Sequence, residues 1–413
     1  MDSIPKRRRE HTEEVNVEGN EDRISNLPTS LIGHILSFLP TKNAVATSVL
    51  STKWKYLWTS IATLDFDDGL VDVWPTPRKS RKQRQSLVET SFINFVYRVL
   101  TRNVSDLQKF HLKCTRSYDV SHVNIWISTA LSRNPRELHL SHIGNLPREL
   151  FTSTSLVVLK LVSSWCRTIV LSVPIGSWCR TIVLNVPTLV CLRSLKILVI
   201  DYFKFLDDDS IYRLCSSCPV LEDLSIGNCD LGNISVLNIS APNLRFLTIN
   251  CWTSCYQFGC SCDSDCKYKI VLNTPNLQHL KYKDFAAKGY SMSKLDALVK
   301  ADISFVERCC GVRDRSIEKL AKADFFKRMT KVQWLRLSID SIEVFELWRL
   351  LQCRHLIYLE LGNQHQYVGW KLLLDIVERL PLLETLIFGG LSREGNQTTS
   401  CWYQPPNVPS CLL

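Results

Sequence analysis

A six-residue pattern with apolar side chains at its first, fourth and sixth positions recurs along this chain and leaves few folds open to it. It reads LQKFHL from 107, LVVLKL from 156, LKILVI from 195, LEDLSI from 221, LRFLTI from 244 and LQHLKY from 277. It returns as VQWLRL from 332, LIYLEL from 356 and LETLIF from 383, with weaker copies PRELHL from 135 and LVKADI from 298. The copies at 195, 221 and 244 stand 26 and 23 residues apart. Strand alternation sends the Leu positions to one face and the intervening ones to the other. A repeat of this length supplies one short strand and a returning segment, and it buries its apolar face by stacking on its neighbours. Eleven ordered copies predict an α/β fold: a solenoid with a curved parallel sheet and returning helices and loops.

The period is that of leucine-rich repeats. Two intervals exceed it. Between 156 and 195 lie SWCRTIVLSVP (164 to 174) and SWCRTIVLNVP (177 to 187), a local duplication with an offset of 13 residues. Between 244 and 277 lies CWTSCYQFGCSCDSDC (251 to 266), with five cysteines and no CxxC pair, which reads as a thiol-rich surface loop rather than a zinc site. The one CxxC of the chain is Cys215 and Cys218. Seventeen cysteines, an odd number in a long chain, suit a reducing compartment in which thiols serve as small apolar side chains.

Ahead of the repeats the spacing is helical. In RISNLPTSLIGHILSFLP, Leu31, Ile32, Ile35, Leu36 and Leu39 recur at three and four residues, Pro28 suits a first turn and Pro40 stops the helix. Thr41 can cap a second helix through Ala44, Val45, Val49 and Leu50, and Ser51 a third carrying Trp54, Leu57 and Trp58. Three short helices cannot bury that much apolar surface among themselves, so something else should cover it. The organisation expected is a disordered arm over 1–22, the three-helix module over 23–64 and a linker over 65–90, which holds two prolines and a basic run. The repeat domain follows over 91–395 and opens with an amphipathic helix through Phe92, Phe95, Val96, Val99 and Leu100.

The chain carries no GxxxxGKS or GxxxxGKT loop, no GxGxxG, no GxSxG and no HExxH, so no catalytic residue, metal or cofactor is expected. Asp207 to Asp209 precede a helical pattern, where carboxylates suit the N-terminus. The net charge is +10, with basic runs at Lys6 to Arg9 and Arg78 to Arg84. They suit nuclear import, but they are short and lack interleaved aromatics, so nucleic acid is not an expected partner. No run of eighteen apolar residues occurs and the start is polar, so neither a membrane span nor a signal peptide is expected. The expected location is nucleus and/or cytoplasm.

Residues 23 to 58, with RISNLP, ILSFLPTK and TSVLSTKWKYLW, resemble the F-box of a large plant family that joins an F-box to leucine-rich repeats and a C-terminal FBD segment. CPVLEDLSI and SAPNLRFLTI resemble its repeats, and CWYQPPNVPSCLL (401 to 413) looks like the opening of the FBD, so 396–413 reads as the start of a truncated FBD segment. The resemblance implies a non-catalytic subunit of a ubiquitin ligase, whose F-box docks on a Skp-type adaptor linked to a cullin scaffold while the repeats hold a protein substrate. Carried over to this chain, the adaptor-binding residues are Leu27, Pro28, Ile32, Ile35, Leu36, Leu39, Val45, Val49, Leu50, Trp54 and Trp58, some of which must instead hold the helices to each other. Among outward strand positions, Trp334, Arg336 and Tyr358 are the side chains best suited to bind the substrate. The alternatives are a nuclear nucleic-acid-binding protein and an F-box protein without ubiquitination activity.

Overall fold

The computed structural model describes residues 24–70, 81–163, 182–251, 268–305, 325–339, 354–361 and 379–388, apart from positions 25, 145, 232, 285, 286 and 294. The expected arm, the basic run at Lys6 to Arg9, the inserted cysteines after Cys251, most of the SWCRTIVL duplication and the segment 396–413 lie outside the described residues.

In chain order the helices are α1 (Thr29–Ser37), α2 (Thr41–Ala46), α3 (Arg81–Arg102), α4 (Val120–Leu131) and α5 (Asp209–Ser216). The strands are β1 (Thr63–Asp67), β2 (Lys109–Lys113), β3 (Glu137–Ser141), β4 (Val158–Val162), β5 (Ile182–Leu184), β6 (Ile197–Asp201), β7 (Phe203–Phe205), β8 (Asp223–Gly227) and β9 (Val236–Ser240). They continue as β10 (Phe246–Asn250), β11 (Lys269–Asn273), β12 (His279–Asp284), β13 (Tyr290–Met292), β14 (Lys300–Phe305), β15 (Trp334–Ile339), β16 (Tyr358–Leu361) and β17 (Thr385–Phe388). Among the described residues, twelve of them form one parallel sheet in the order β1-β2-β3-β4-β6-β8-β10-β12-β14-β15-β16-β17.

Each repeat motif delivers the same two inward side chains. Leu224, Leu247, Leu280, Ala301, Leu335 and Leu359 are successive register partners, and all are buried. A second row runs parallel to it through Ile226, Ile249, Tyr282, Ile303, Leu337 and Leu361. Each large apolar side chain buried this way stabilises by about 1.5 to 3 kcal/mol, so a one-residue slip would expose a whole row.

The returning side differs from the expected helices and loops over part of its length. β9, β11 and β13 form a second parallel sheet, and β5 pairs with β7. The reason is legible in SVLNIS and YKIVLN, which are rich in branched side chains and bury every second one, Leu237 and Ile239, then Ile270 and Leu272.

The expected linker over 65–90 is corrected by the structure, because β1 already belongs to the repeat sheet. Leu64 and Phe66 point into the core, while Asp65 and Asp67 face out and pair with His111 (2.7 Å) and Lys113 (2.9 Å) on β2. Asp68 is wholly buried, and its carboxylate accepts from the Thr115 amide (2.8 Å) and hydroxyl (2.6 Å), the Arg116 amide (2.9 Å) and the Tyr118 hydroxyl (3.1 Å). The end of β1 is thereby pinned to the segment that follows β2. α3 begins at Arg81, inside the basic run, since Arg, Lys and Gln are good helix formers, and it buries Val88, Phe92, Val96, Val99 and Leu100.

The N-terminal module contains α1 and α2, but the expected second helix gives way after Ala46 to a 3-10 turn, Thr47–Val49, and the expected third is replaced by turns and a second 3-10 segment, Leu57–Ser60. Backbone bonds spanning three residues, from Leu57 to Trp54 (3.3 Å) and from Thr59 to Tyr56 (3.0 Å), tighten this stretch. The tight path still places Trp54 and Trp58 in the core.

The module is fused to the sheet rather than tethered to it. Ile32, Leu36, Ala44, Trp54, Trp58 and Ile61 belong to the same buried cluster as Leu64, Phe66 and Phe92. Among the described residues β1 has one strand neighbour, and its other edge meets α2: the buried Thr41 hydroxyl accepts from the Asp65 amide at 2.7 Å. The buried Asn103, at the end of α3, donates to the Ile61 carbonyl at 3.0 Å. These contacts cover the kind of strand edge that otherwise invites pairing with another chain.

Candidate functional site

The fold divides the eleven expected adaptor-binding residues into three sets. Ile32, Leu36, Trp54 and Trp58 are buried in the chain's own core. Leu27, Leu39 and Val45 are half-buried against it. Pro28, Ile35, Val49 and Leu50 are exposed. The exposed set is larger than the expected one, because Ile24, Leu31, Phe38 and Tyr56 stand in solvent as well. Phe38 is 75% exposed, Val49 87% and Leu50 63%.

The origin of this surface is local. α1 carries two apolar ridges, Ile32 with Leu36 and Leu31 with Ile35, each spaced by four residues. One ridge packs inward and the other remains outside. Pro40 then stops the helix, leaving Phe38 against the His34 ring edge at 4.9 Å between ring centres. Lys53 donates to the Leu27 carbonyl at 2.9 Å and anchors the turn ahead of α1, a local use for the cation in STKWKYLW. Exposed apolar side chains grouped on one small module mark an interaction face.

The second candidate surface lies on the outward face of the sheet. Trp334 on β15 and Tyr358 on β16 are register partners with ring centres 5.0 Å apart and planes within 10°. Below them Arg336 pairs with Glu360 (Nε to Oε1, 3.1 Å), and the Tyr358 hydroxyl donates to Glu360 at 3.2 Å. The three expected substrate-binding residues are thus together and held in place, with the Arg336 charge already engaged by Glu360.

Several groups of the kind that do covalent or metal chemistry are held in the fold or shifted by burial. Cys215 and Cys218 are buried; burial pushes both thiols up, Cys218 to about 12, which disfavours the thiolate that nucleophiles and metal ligands require. Cys251, directly after β10, is buried and likewise pushed up. Asp207 accepts from the Ser210 hydroxyl (2.6 Å), which with Arg213 holds its carboxyl below the usual range, and Asp208 accepts from the Ser235 amide (2.5 Å) ahead of β9. Burial, reinforced by Lys160 and Lys109, holds the His139 imidazole down at about 4. Among the described residues, no group of three or more His, Cys, Asp or Glu side chains is arranged to hold a metal ion, and no helix is long and apolar enough to cross a membrane.

Comparison with known proteins bears on both parts of the chain. Residues 24–64 match the model of the F-box domain, and residues 194–219 match a leucine-rich-repeat model. The chain is 33% identical to the F-box/LRR-repeat protein At3g59200 of Arabidopsis thaliana, over 95% of this chain and 74% of that protein. It is also 33% identical to the Arabidopsis F-box/LRR-repeat protein At4g14103, over 91% of this chain and 94% of the relative. The F-box/FBD/LRR-repeat protein At2g04230 of the same organism is 29% identical over 95% of this chain and 81% of its own length. An F-box implies a Skp-type adaptor as partner in general, and the two matched domains support an adaptor-type role in a ubiquitin ligase. A repeat sheet capped by a module with exposed apolar side chains, matched domains in both parts and relatives of this identity and coverage all agree: the chain belongs to the F-box/LRR-repeat protein family.

Proposed function

We propose that this protein is the substrate-recognition subunit of a Skp-cullin-F-box ubiquitin ligase, working in the nucleus and/or cytoplasm. Its F-box docks on a Skp-type adaptor and its repeat sheet holds the protein to be ubiquitinated, with Trp334, Arg336 and Tyr358 in the substrate contact. The subunit performs no bond chemistry of its own; it brings a substrate to the transfer machinery. The observation that carries this reading is the set of exposed apolar side chains, Leu31, Ile35, Phe38, Val49 and Leu50, on a module whose other apolar ridge is already buried. Covering Phe38, Val49 and Leu50 in a complex contributes about 1 to 2 kcal/mol each, so removing all three weakens adaptor binding by roughly a hundredfold or more.

The test is capture of a co-expressed Skp-type adaptor by the full chain and by the triple variant Phe38→Ala, Val49→Ala, Leu50→Ala. Capture by the parent and loss by the variant, at unchanged melting temperature, supports docking on this face. Equal capture by both refutes it. Ubiquitinated proteins accumulating on the parent and not on the variant under proteasome inhibition distinguishes a ligase subunit from an F-box protein without that activity.

A further inference from the structure

We propose that the outward face from β10 to β16 binds an acidic, extended segment of a partner protein laid across the strands. This rests on the reading of the repeat sheet as the substrate-binding part and names the chemistry of what it takes. The first residues of five neighbouring strands, Phe246, His279, Lys300, Trp334 and Tyr358, are register partners in one row. Their side chains stack in two groups along that row, Phe246 with His279, and Lys300 with Trp334 and Tyr358. Phe246 and His279 lie 4.7 Å apart with planes within 15°, and Trp334 and Tyr358 lie 5.0 Å apart. Lys300 Nζ stands 4.0 Å from the Trp334 ring centre, and the Arg245 guanidinium lies 6.0 Å from that of Phe246.

The stack decides which ligand fits. Trp334 has Lys300 on the β14 side and Tyr358 on the β16 side, so its faces are taken from within the row. Phe246 has His279 on the β12 side, and the Arg245 guanidinium, 6.0 Å from its ring centre, reaches the same way to Gln278 ahead of β12. A single-stranded nucleic acid gains much of its sequence-independent affinity from bases stacking on open ring faces, and the Trp334 ring does not offer one. Rings stacked face to face turn their edges outward, and ring edges carry the positive part of the aromatic quadrupole.

Charge on the same face points the same way. Arg245, Lys281, Lys283, Lys300 and Arg336 stand against Asp302 and Glu360, five cations to two anions. Of the anions, Glu360 is engaged by Arg336 and Tyr358, while Arg245 is oriented by a neutral acceptor, Gln278 Oε1, at 3.1 and 3.2 Å. Lys281 and Lys300 are exposed. Burial, and after it Lys300 and Arg245, lower the His279 pKa. Carboxylates are therefore attracted by the ammonium groups and by the ring edges together. Four strand spacings cover about 19 Å, the length of roughly six extended residues.

The test is fluorescence anisotropy on the full chain with a fluorescein-labelled acidic peptide, EDSEDLEDSE, its amide counterpart QNSQNLQNSQ, and an oligothymidylate of matched charge. The acidic peptide is expected to bind saturably and more weakly as salt rises. Binding should fall by about tenfold or more in Lys281→Glu with Lys300→Glu, since like charges are then opposed, and by less in the corresponding Gln pair. Lys109→Glu, on β2 outside the row, should leave it within about twofold. Equal binding of the amide peptide, tighter binding of the oligothymidylate, an equal effect of Lys109→Glu or no saturable binding each overturns the proposal. Adaptor capture is measured on the same preparations. Capture retained while the acidic peptide fails sinks this inference alone, whereas lost capture sinks the ligase reading.

Discussion

Thr41 joins the F-box to the repeat sheet, and its replacement separates hydrogen bonding from packing. The side chain is wholly buried, and its hydroxyl accepts from the Asp65 amide at 2.7 Å on the edge of β1 that meets α2. Thr41→Val keeps the shape and removes the acceptor, leaving a buried N–H without its partner at a cost of about 1 to 3 kcal/mol. Thr41→Ser keeps the acceptor and deletes one methyl group, which costs about 1 kcal/mol. The hydrogen-bond argument therefore ranks Ser above Val, and a packing argument ranks Val above Ser. For a chain of this length each kcal/mol moves the melting temperature by roughly 1 to 2 °C, a shift that calorimetry resolves. Hydrogen exchange adds a local measure, because the Asp65 amide should lose protection in the Val variant and keep it in the Ser variant. A Val variant as stable as the parent, or more stable than the Ser variant, refutes the argument that this bond couples the two parts.

Three further outcomes can be checked by unfolding measurements. Leu36→Ala, in the inward ridge of α1, should cost about 2 to 5 kcal/mol, whereas Leu50→Ala on the exposed face should stay within about 0.5 kcal/mol; equal losses would contradict the two-ridge reading of the module. Asp68→Asn puts an NH2 group where one carboxylate oxygen accepts from a backbone amide and a hydroxyl inside the protein and should destabilise by about 3 kcal/mol or more, visible as a lower denaturant midpoint; a midpoint unchanged from the parent would dismiss the pinning of β1. His139 binds its proton less readily folded than unfolded, so its contribution is lost as pH falls from about 6.5 toward 4. His139→Gln should therefore lose about 1 to 2 kcal/mol less than the parent between pH 7 and 4.5, and identical losses would remove His139 from the acid response.

The strands were legible because two inward positions per repeat impose a period that survives variation at every other site. The exceptions have physical causes. β1 hides in an acidic stretch, where Asp65, Asp67 and Asp68 mask the inward pair Leu64 and Phe66. The returning strands alternate too briefly to separate from loops without their neighbours. In the F-box, spacing alone cannot say which ridge of α1 turns inward, since both repeat at four residues; that is settled by where β1 and Trp58 wait to receive one of them. Phe38 eluded the reading because it follows the last turn of α1 rather than lying within it. On the sheet, Trp334, Arg336 and Tyr358 could be read as outward neighbours, but Lys300 belongs to a weak copy with Ala301 in place of Leu, so the continuity of the stacked row was hidden.

The sheet also separates length in sequence from length in space. Thirty-nine residues from Leu156 to Leu195, thirty-three from Leu244 to Leu277 and twenty-three from Leu221 to Leu244 each advance the chain by a single strand of the sheet. The stacked row begins six strands beyond β1 and ends ten strands beyond it, roughly 30 to 50 Å along the sheet. A bound segment is thus carried at a span counted in strands, so cysteine-rich or duplicated insertions can grow without changing how far it stands from the F-box, whereas loss of one repeat would shorten that reach by a full step.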